Sequence, residues 1–401
     1  MAHKAISFLG YTPPDRPYRE TTYQFAGQTC TTPFMTEATA RFFQDELDLL
    51  LVLVTPEAKQ QNLAALRNRL PHPKRLKPVD IPSSQDTASL WAMFHAIAGE
   101  IEPGDHITFD ITNGFRSLPL LALLAASFVR VVRGAHVERM IYGAYDATSG
   151  SVTPVFDLSP LLALLDWTTA TDAFLKYGRA DDLVDRMRQG QGAATNSLAD
   201  TLATLTAGLQ VSRPTEVQRA AACLGDQVKA VRSDPATPAP IGLLLDRISA
   251  EYTPLGHVEP TAPVHAREVL QGQVEIVQWY VGKGLYVQAI TLAREWLVSW
   301  VVARAGGDLF AKADREYAEA AINGFPSVRM HERGRKVEVA VPAAMLAAAD
   351  HQPLKLIWRA TRDLRNDLGH TGMRPDPRLA TEVHSQVERA CGGLAGLLAE
   401  E

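Results

Sequence analysis

A continuous apolar run at residues 49–55 (LLLVLVT) most constrains the fold. The run has the length of a strand, and a strand with apolar side chains on both faces must be covered on both faces. Pro56 follows at once, and proline is favoured in the first turn of a helix. The run therefore predicts a buried parallel strand that leads directly into a covering helix.

The order of strand and helix repeats through the first 165 residues. Strand-like segments lie at 4–10, 49–55, 76–81, 105–112, 137–145 and 152–157, and helical segments lie at 36–47, 56–70, 84–99 and 116–132. A Thr-, Tyr- and Phe-rich segment at 18–34, with Ala26 and Gly27 midway, predicts a β-hairpin inserted after the first strand. Thr36 is predicted to cap the helix that follows. The alternation predicts a parallel α/β sheet of Rossmann type.

Beyond residue 165 the apolar residues recur at helical spacing, which predicts an all-α region. A Pro- and Ala-rich break at 233–240 interrupts it, and residues 328–341 (VRMHERGRKVEVAV) read as a β-hairpin. We therefore predict a Rossmann-like α/β domain over residues 1–165 and a helical connector over 166–270. An all-α domain with a small β-hairpin insert is predicted over 271–401.

Composition excludes several functional classes. The formal net charge of −5 and pI near 6.1 disfavour a general nucleic-acid coat, which needs many cationic contacts. The three cysteines are far apart and form no C-x-x-C or Cys/His cluster, so neither disulfides nor a zinc module is expected and no metal is predicted. The most apolar stretch, 118–132, is interrupted by Arg130 and is too short to span a membrane. These features predict a cytoplasmic location.

Two predicted strand ends carry ligand-binding chemistry. Ligands of open α/β sheets bind beyond the carboxyl ends of the strands, and glycine there permits close backbone approach. A free helix N-terminus would attract an anion to the same place. The candidate ligand-binding residues are Gly10, Tyr11, Thr12, Thr112, Asn113, Gly114, Phe115 and Arg116. An ordinary capped turn between strand and helix remains the alternative.

Near the C-terminus, residues 364–370 (LRNDLGH) place Arg365, Asn366 and His370 at the end of a helical segment. Arginine grips phosphate with two donors, and histidine exchanges protons near neutral pH. Residues five apart point about 140° apart on a regular helix. We therefore expect Gly369 to end the helix and let His370 turn back. The alternative is an arginine paired with Asp363 or Asp367 beside a histidine at a helix end.

The N-terminal third resembles the CARF domains of type III CRISPR systems. The resemblance rests on DITNGFRSLP at 110–119, FLGYTPP at 8–14 and LVLVTPEA at 51–58, in order and spacing. Many relatives carry histidine where this chain has Asn113. The resemblance implies a dimeric sensor of cyclic oligoadenylate, whose ring lies across the dimer axis between the candidate residues at the two strand ends.

The C-terminal part is similar to HEPN ribonucleases, through R-x-x-x-x-H at Arg365 to His370 and YVQAITLAREW at 286–296. Together the two ends resemble a CARF–HEPN ancillary ribonuclease. This implies a homodimer or higher oligomer that cuts single-stranded RNA without metal or cofactor, and that is activated by cyclic tetra- or hexa-adenylate. Arg365 would hold the phosphate, Asn366 would orient His370 or donate to phosphate, and His370 would move the proton.

Alternatives remain at the level of sequence. The chain could be a sensor without nuclease activity, or one that also degrades its own ring. Glu295 either steers Arg365 or is a surface charge. The basic residues of the predicted hairpin, namely His331, Arg333, Arg335 and Lys336, either guide RNA or keep an exposed hairpin soluble.

Overall fold

The protein is described by a computed structural model. It covers residues 1–12, 18–84, 86–113, 118–190, 192–235, 237–261, 265–332, 335–373 and 376–399. The chain divides into two compact units, Met1–Leu165 and Asp166–Glu401. Among the described residues, no helix combines the length and apolar character needed to cross a membrane.

The first unit is built on an eight-stranded sheet. Its strands are β1 (His3–Leu9), β2 (Thr21–Phe25), β3 (Gln28–Thr32), β4 (Leu49–Val54), β5 (Leu76–Asp80), β6 (His106–Asp110), β7 (His136–Gly143) and β8 (Val152–Asp157). Their order is β3-β2-β8-β7-β6-β1-β4-β5. The five strands from β7 to β5 run parallel. This arrangement confirms the predicted Rossmann-like α/β fold.

Four helices accompany the sheet: α1 (Met35–Phe42), α2 (Pro56–Arg69), α3 (Thr87–Gly99) and α4 (Leu118–Arg133). α2 begins as predicted, with Pro56 in its first turn and the Thr55 side chain accepting the Ala58 N–H. The predicted cap at Thr36 is wrong, because Phe34 occupies the cap position and makes no side-chain cap bond. Thr36 lies inside α1, and its hydroxyl is bonded to Ser7 at 2.8 Å.

The predicted hairpin forms and also extends the sheet. β2 and β3 pair antiparallel, joined at Ala26 and Gly27, which both have positive φ, as a tight hairpin turn requires. β2 then pairs parallel with β8, while β8 pairs antiparallel with β7. The sheet is therefore mixed at this side rather than parallel throughout.

The second unit is helical. Its helices are α5 (Ser159–Tyr177, which starts before the unit boundary), α6 (Asp181–Gln189), α7 (Ala193–Gln210), α8 (Pro214–Arg232), α9 (Ala239–Tyr252), α10 (Ala266–Gly282), α11 (Tyr286–Arg304), α12 (Lys312–Ile322), α13 (Ala343–Ala349), α14 (Gln352–Gly369) and α15 (Ala380–Ala399). One continuous hydrophobic core runs from Ala170 to Leu398. The division into a connector and a separate C-terminal domain near residue 270 remains a prediction.

Two local features of this unit are a helix pair and a β-hairpin. α10 and α11 are separated by a turn in which Gly284 has a φ of 71°. The predicted insert is the antiparallel hairpin of β9 (Ser327–Glu332) and β10 (Arg335–Ala340).

One face of α14 is buried. Leu354, Trp358 and Leu364 lie on it, whereas Leu356 and Ala360 are exposed. Burying the Trp358 indole removes more apolar surface from water than burying a leucine.

Candidate functional site

The carboxyl ends of β1 and β6 lie side by side, because the two strands pair in parallel with Ser7 opposite Asp110. Gly10, Tyr11 and Thr12 follow β1, and Thr112 and Asn113 follow β6. A Cβ built on Gly10 would lie 3.7 Å from the Asn113 Cβ. The structure therefore brings these two predicted segments together at one edge of the sheet.

A buried carboxyl group fastens this edge. Asp110 is fully buried and accepts the Thr112 N–H at 3.0 Å and the Ser7 hydroxyl at 2.6 Å. The Thr39 hydroxyl of α1 lies 3.4 Å from the same carboxyl group. Burial raises the pKa of Asp110 above its ordinary value. Asp110 thus ties the turn after β6 to β1 and to α1.

Thr112 is held from a second side. Its hydroxyl accepts the Gly143 N–H of β7 at 2.8 Å, and a side chain on Gly143 would meet the Thr112 methyl at 3.2 Å. The Thr112 side chain also hydrogen-bonds to the buried Asp110 carboxyl group, so the hydroxyl is held by partners within the protein.

Gly10 is enclosed by two side chains. Its carbonyl accepts the Asn62 side-chain N–H at 3.0 Å, and a Cβ at this position would lie 2.6 Å from the Tyr18 hydroxyl. Tyr18 packs edge-on against Phe34, and burial raises the pKa of Tyr18 to about 12. Glycine is therefore required here by space.

The other predicted ligand residues have different outcomes. Tyr11 is exposed and Thr12 is half-buried, so both are accessible from solvent. Gly114, Phe115 and Arg116 lie outside the described residues. The supporting residues Ser7, Asn62 and Asp110 were not predicted. Asp110 carried a usable signal, since a carboxylate inside an apolar strand must find buried partners.

The candidate reaction site lies at the C-terminal end of α14. Arg365, Asn366 and His370 are all exposed there, while Leu364 and Asp367 of the same turns are buried. The Arg365 guanidinium donates to the Asn366 side-chain oxygen at 3.4 Å. The three predicted residues thus occupy one exposed helix end, close to one another along the chain.

α14 ends at Gly369, where the sequence predicts its end, and His370 is its C-cap. The His370 N–H donates to the Asn366 carbonyl at 3.0 Å. The chain reverses at Thr371 and Gly372, with φ values of 52° and 68°. The Gly372 N–H then donates to the Asp367 carbonyl at 3.3 Å. This bond completes a C-terminal cap of α14 in which the backbone adopts the left-handed conformation.

The sequence left open that Arg365 pairs with Asp363 or Asp367, and the structure places its hydrogen bond elsewhere. Asp363 accepts from Arg362, its neighbour along the chain, at 3.2 Å, and the bond of Arg365 is to Asn366. Arg365 is therefore oriented by an uncharged amide, which leaves its positive charge available to an anion.

Glu295 does not contact Arg365. Its carboxylate accepts from Arg294 at 2.6 Å and from Arg315 at 2.7 Å. Arg294 also donates to Glu319 at 2.5 Å, and its guanidinium lies 5.3 Å from the ring centroid of Trp358 in α14. The network joins α11 and α12 and supports α14 through a cation–π contact. Both expectations for Glu295 are replaced by a structural role.

The basic hairpin can be assessed only in part. Lys336 is exposed, Arg333 lies outside the described residues, and the side chains of His331 and Arg335 are also not described. The two alternatives for this patch remain predictions.

The central helices are similar to known proteins. A family model described as CRISPR-associated protein MJ1674, second domain, matches residues 163–254. The CRISPR-associated protein MJ1674 of Methanocaldococcus jannaschii is 30% identical over 99 residues. That match covers 24% of this chain and 16% of the relative's length. The two matches link the central helices, in which the sequence showed no chemistry, to CRISPR-associated proteins.

A solved structure also superposes on the chain. It is Enterococcus italicus Csm6 bound to cyclic hexa-2'-fluoro-hexa-dAMP, with a TM-score of 0.43 and 10% identity. The superposition covers 99% of this chain and 94% of that one. At this TM-score the likeness says nothing about the activity or ligands of this chain.

Proposed function

We propose that the chain is a homodimeric endoribonuclease of type III CRISPR defence, activated by cyclic oligoadenylate and independent of metal. The observation that carries this proposal is the group of Arg365, Asn366 and His370 on the exposed end of α14. A guanidinium, an amide and an imidazole are grouped there, and within the described residues the side-chain partner of Arg365 is the Asn366 amide. Such a group suits a phosphodiester.

The reaction is attack by the RNA 2′-hydroxyl on the adjacent 3′-phosphate. The new P–O bond closes a 2′,3′-cyclic phosphate, and the bond to the 5′-oxygen breaks to leave a 5′-hydroxyl. His370 moves the proton from the attacking oxygen or to the leaving one. Arg365 binds the phosphate and offsets the charge that develops on it. Asn366, whose oxygen already meets Arg365, turns its amide N–H groups toward His370 or phosphate.

The activator site is proposed at the edge formed by β1 and β6. Gly10, Tyr11 and Thr12 would line one wall and Thr112 and Asn113 the other, with Gly114, Phe115 and Arg116 continuing it. The exposed ring of Tyr11 suits stacking on an adenine. The narrow approach between Gly10 and Asn113 suits a nucleotide ring that contacts backbone.

Dimerisation is supported by an apolar surface on α3 and α4. We define this surface, the α3–α4 face, as Trp91, Leu120, Leu124, Phe128 and Val131, which are 43–86% exposed. The α4 members recur at helical spacing and form one stripe. Stripes of this size on a soluble protein usually mark an interface.

The experiment is cleavage of labelled single-stranded RNA in EDTA, with rings of three, four or six adenosines added separately. We expect cleavage with the tetra- or hexa-adenylate ring and none without a ring. His370→Ala should lose cleavage by at least about a hundredfold and still bind the ring. His265→Ala, a half-exposed histidine of the same unit, should retain full activity and serves as the matched control.

The outcomes separate this proposal from its two alternatives. Ring binding without cleavage by the wild type at any ring size indicates a sensor without nuclease activity. Chromatography of the ring after incubation shows whether the first unit also degrades its activator. Equal cleavage by wild type and His370→Ala would refute the assignment of the reaction site.

A further inference from the structure

Three histidines occupy equivalent positions on adjacent strands of the sheet. His3, His106 and His136 begin β1, β6 and β7, and the strand registers pair His3 with His106 and His106 with His136. Their rings stack, with centroids 4.6 Å apart for the first pair and 4.9 Å for the second. The parallel sheet therefore lines up three imidazoles at its amino edge.

A β-bulge adds a carboxylate to this row. The pairing of β6 with β7 shifts between Ile107 and Thr108, so that Val137 faces Ile107 and Arg139 faces Thr108. The extra residue is Glu138, and such a bulge re-aims the side chain that it carries. The Glu138 carboxylate lies 2.7 Å from His106 Nδ1.

Two of these imidazoles and the carboxylate meet the spacing of a metal site. In the part of the chain that the structure describes, His3, His106 and Glu138 form the one group of three or more His, Cys, Asp or Glu side chains whose ligand atoms lie within 4.8 Å of one another. Bonds of about 2.0–2.2 Å in a tetrahedral zinc site place ligand atoms roughly 3.4 Å apart. Rotation of the His3 and His106 side chains out of their stacked arrangement would bring the ligand atoms from within 4.8 Å to that separation.

The backbone under the cluster is firmly held. The His3 N–H donates to Asp48 at 2.9 Å, and the His106 N–H donates to the Ala2 carbonyl at 2.9 Å. Only side-chain rotation is therefore needed to bring the ligands together. The nearest competitor is Arg139, whose guanidinium lies 3.5 Å from the Glu138 carboxylate and also pairs with Glu46.

We propose that His3, His106 and Glu138 bind one divalent transition-metal ion of the Zn²⁺ type, with water completing its coordination. Imidazole with a single carboxylate is a donor set that suits zinc. The ion would connect β1, β6 and β7 at the edge opposite to Gly10 and Thr112. A seven-residue strand such as β1 spans about 20 Å, which separates the ion from the proposed activator site at the other edge. The role of the ion would be to stabilise the first unit.

The test is calorimetric titration of the untagged, EDTA-treated full chain with Zn²⁺ near neutral pH. We expect one ion per chain and a rise in the unfolding temperature on zinc addition, since an ion that binds only the folded state stabilises it. His106→Ala and His3→Ala should each lower the affinity by roughly tenfold or more. Circular dichroism establishes that each variant is folded.

His265→Ala provides the matched control, because His265 and His257 form another imidazole pair, 5.3 Å apart, beside Glu259. This variant should keep the wild-type zinc affinity. Absence of zinc binding by the wild type would overturn the proposal. Equal loss in His265→Ala and His106→Ala would also overturn it, because the heat would then come from scattered surface histidines.

Discussion

At the end of β6, Asp110 is fully buried and bonded to the turn and to the neighbouring strand. At the end of α14, by contrast, Arg365, Asn366 and His370 are exposed, and their one side-chain hydrogen bond joins Arg365 to Asn366 at 3.4 Å. The first site is fixed by groups within its own unit. The second is a set of exposed side chains that few groups of the described chain hold, so a bound phosphate or a second copy would have to order them.

This difference suits a switched enzyme. A preorganised receptor binds its ligand without a large ordering cost, whereas exposed long side chains lose conformational freedom when they bind. Under the proposed function, a site of the second kind would be inactive on its own and active when a partner orders it. The predictions below test this contrast in order of decreasing effect.

The largest effect is expected from Arg365→Ala. Loss of a phosphate-binding guanidinium should lower ring-activated cleavage by about a hundredfold or more, with no change in unfolding temperature because the side chain is exposed. The matched control is Arg362→Ala, an exposed arginine one turn earlier that pairs with Asp363. Single-turnover cleavage assays measure both, and equal losses would show that only the general charge of α14 matters.

The next effect concerns the second copy. Leu124→Glu places a charge in the middle of the α3–α4 face and should weaken dimerisation by at least about tenfold. Cleavage should fall with it. Leu243→Glu, at a similarly exposed leucine of α9, should change neither property. Sedimentation across a concentration series gives the dimer constant, and an active monomeric Leu124→Glu chain would show that the α14 site needs no partner.

A smaller effect is expected at Gly10. A methyl group in Gly10→Ala would lie 2.6 Å from the Tyr18 hydroxyl, so one of the two must move and ring affinity should fall roughly tenfold. The double variant Gly10→Ala, Tyr18→Phe lacks the Tyr18 hydroxyl and should regain part of the ring affinity.

Gly99→Ala is the control for the Gly10 substitution, since a Cβ at Gly99 meets nothing within 4 Å. Titration with a fluorescent ring gives the dissociation constants of all variants. Unchanged binding by Gly10→Ala would place the ring elsewhere.

The smallest effect is on stability. Asp110→Ala leaves the Thr112 N–H and the Ser7 hydroxyl without their acceptor and should cost about 1–3 kcal/mol of unfolding free energy. Asp110→Asn keeps one acceptor oxygen and should cost less.

The pH dependence of Asp110 has a definite sign. Because burial raises the pKa of Asp110 in the folded state, the folded protein retains a proton that the unfolded chain releases. Wild-type stability should therefore decline, relative to Asp110→Asn, as the pH rises from about 4 through the raised pKa. Thermal unfolding of both proteins across pH shows it. A parallel pH profile would mean that Asp110 titrates normally.

Local patterns explain why most of the fold was predictable. The apolar run of β4 and the proline after it determine a strand and a helix whatever lies elsewhere. The pairing of β2 with β8 was not predicted, because the two strands are more than a hundred residues apart and no local pattern relates them.

The candidate sites show the same limit. Arg365, Asn366 and His370 were found because they are close in sequence and carry reactive groups. Asp110 was seen as part of a motif, but its partners Ser7 and Thr39 come from other elements. The cluster of His3, His106 and Glu138 was missed altogether, because the expectation of no metal site rested on close sequence spacing.

The single core of the helical unit determines where the chain can be divided. Hydrogen bonds connect the two sides of the predicted boundary near residue 270. The Tyr280 hydroxyl donates to the Leu209 carbonyl at 2.7 Å, and the Trp296 N–H donates to the Leu270 carbonyl at 2.9 Å. A fragment beginning at 271 would expose apolar side chains and leave both donors unpaired. We expect such a fragment to aggregate. A segment that is transferred to another protein, by engineering or by recombination between genes, should therefore contain the whole of residues 166–401.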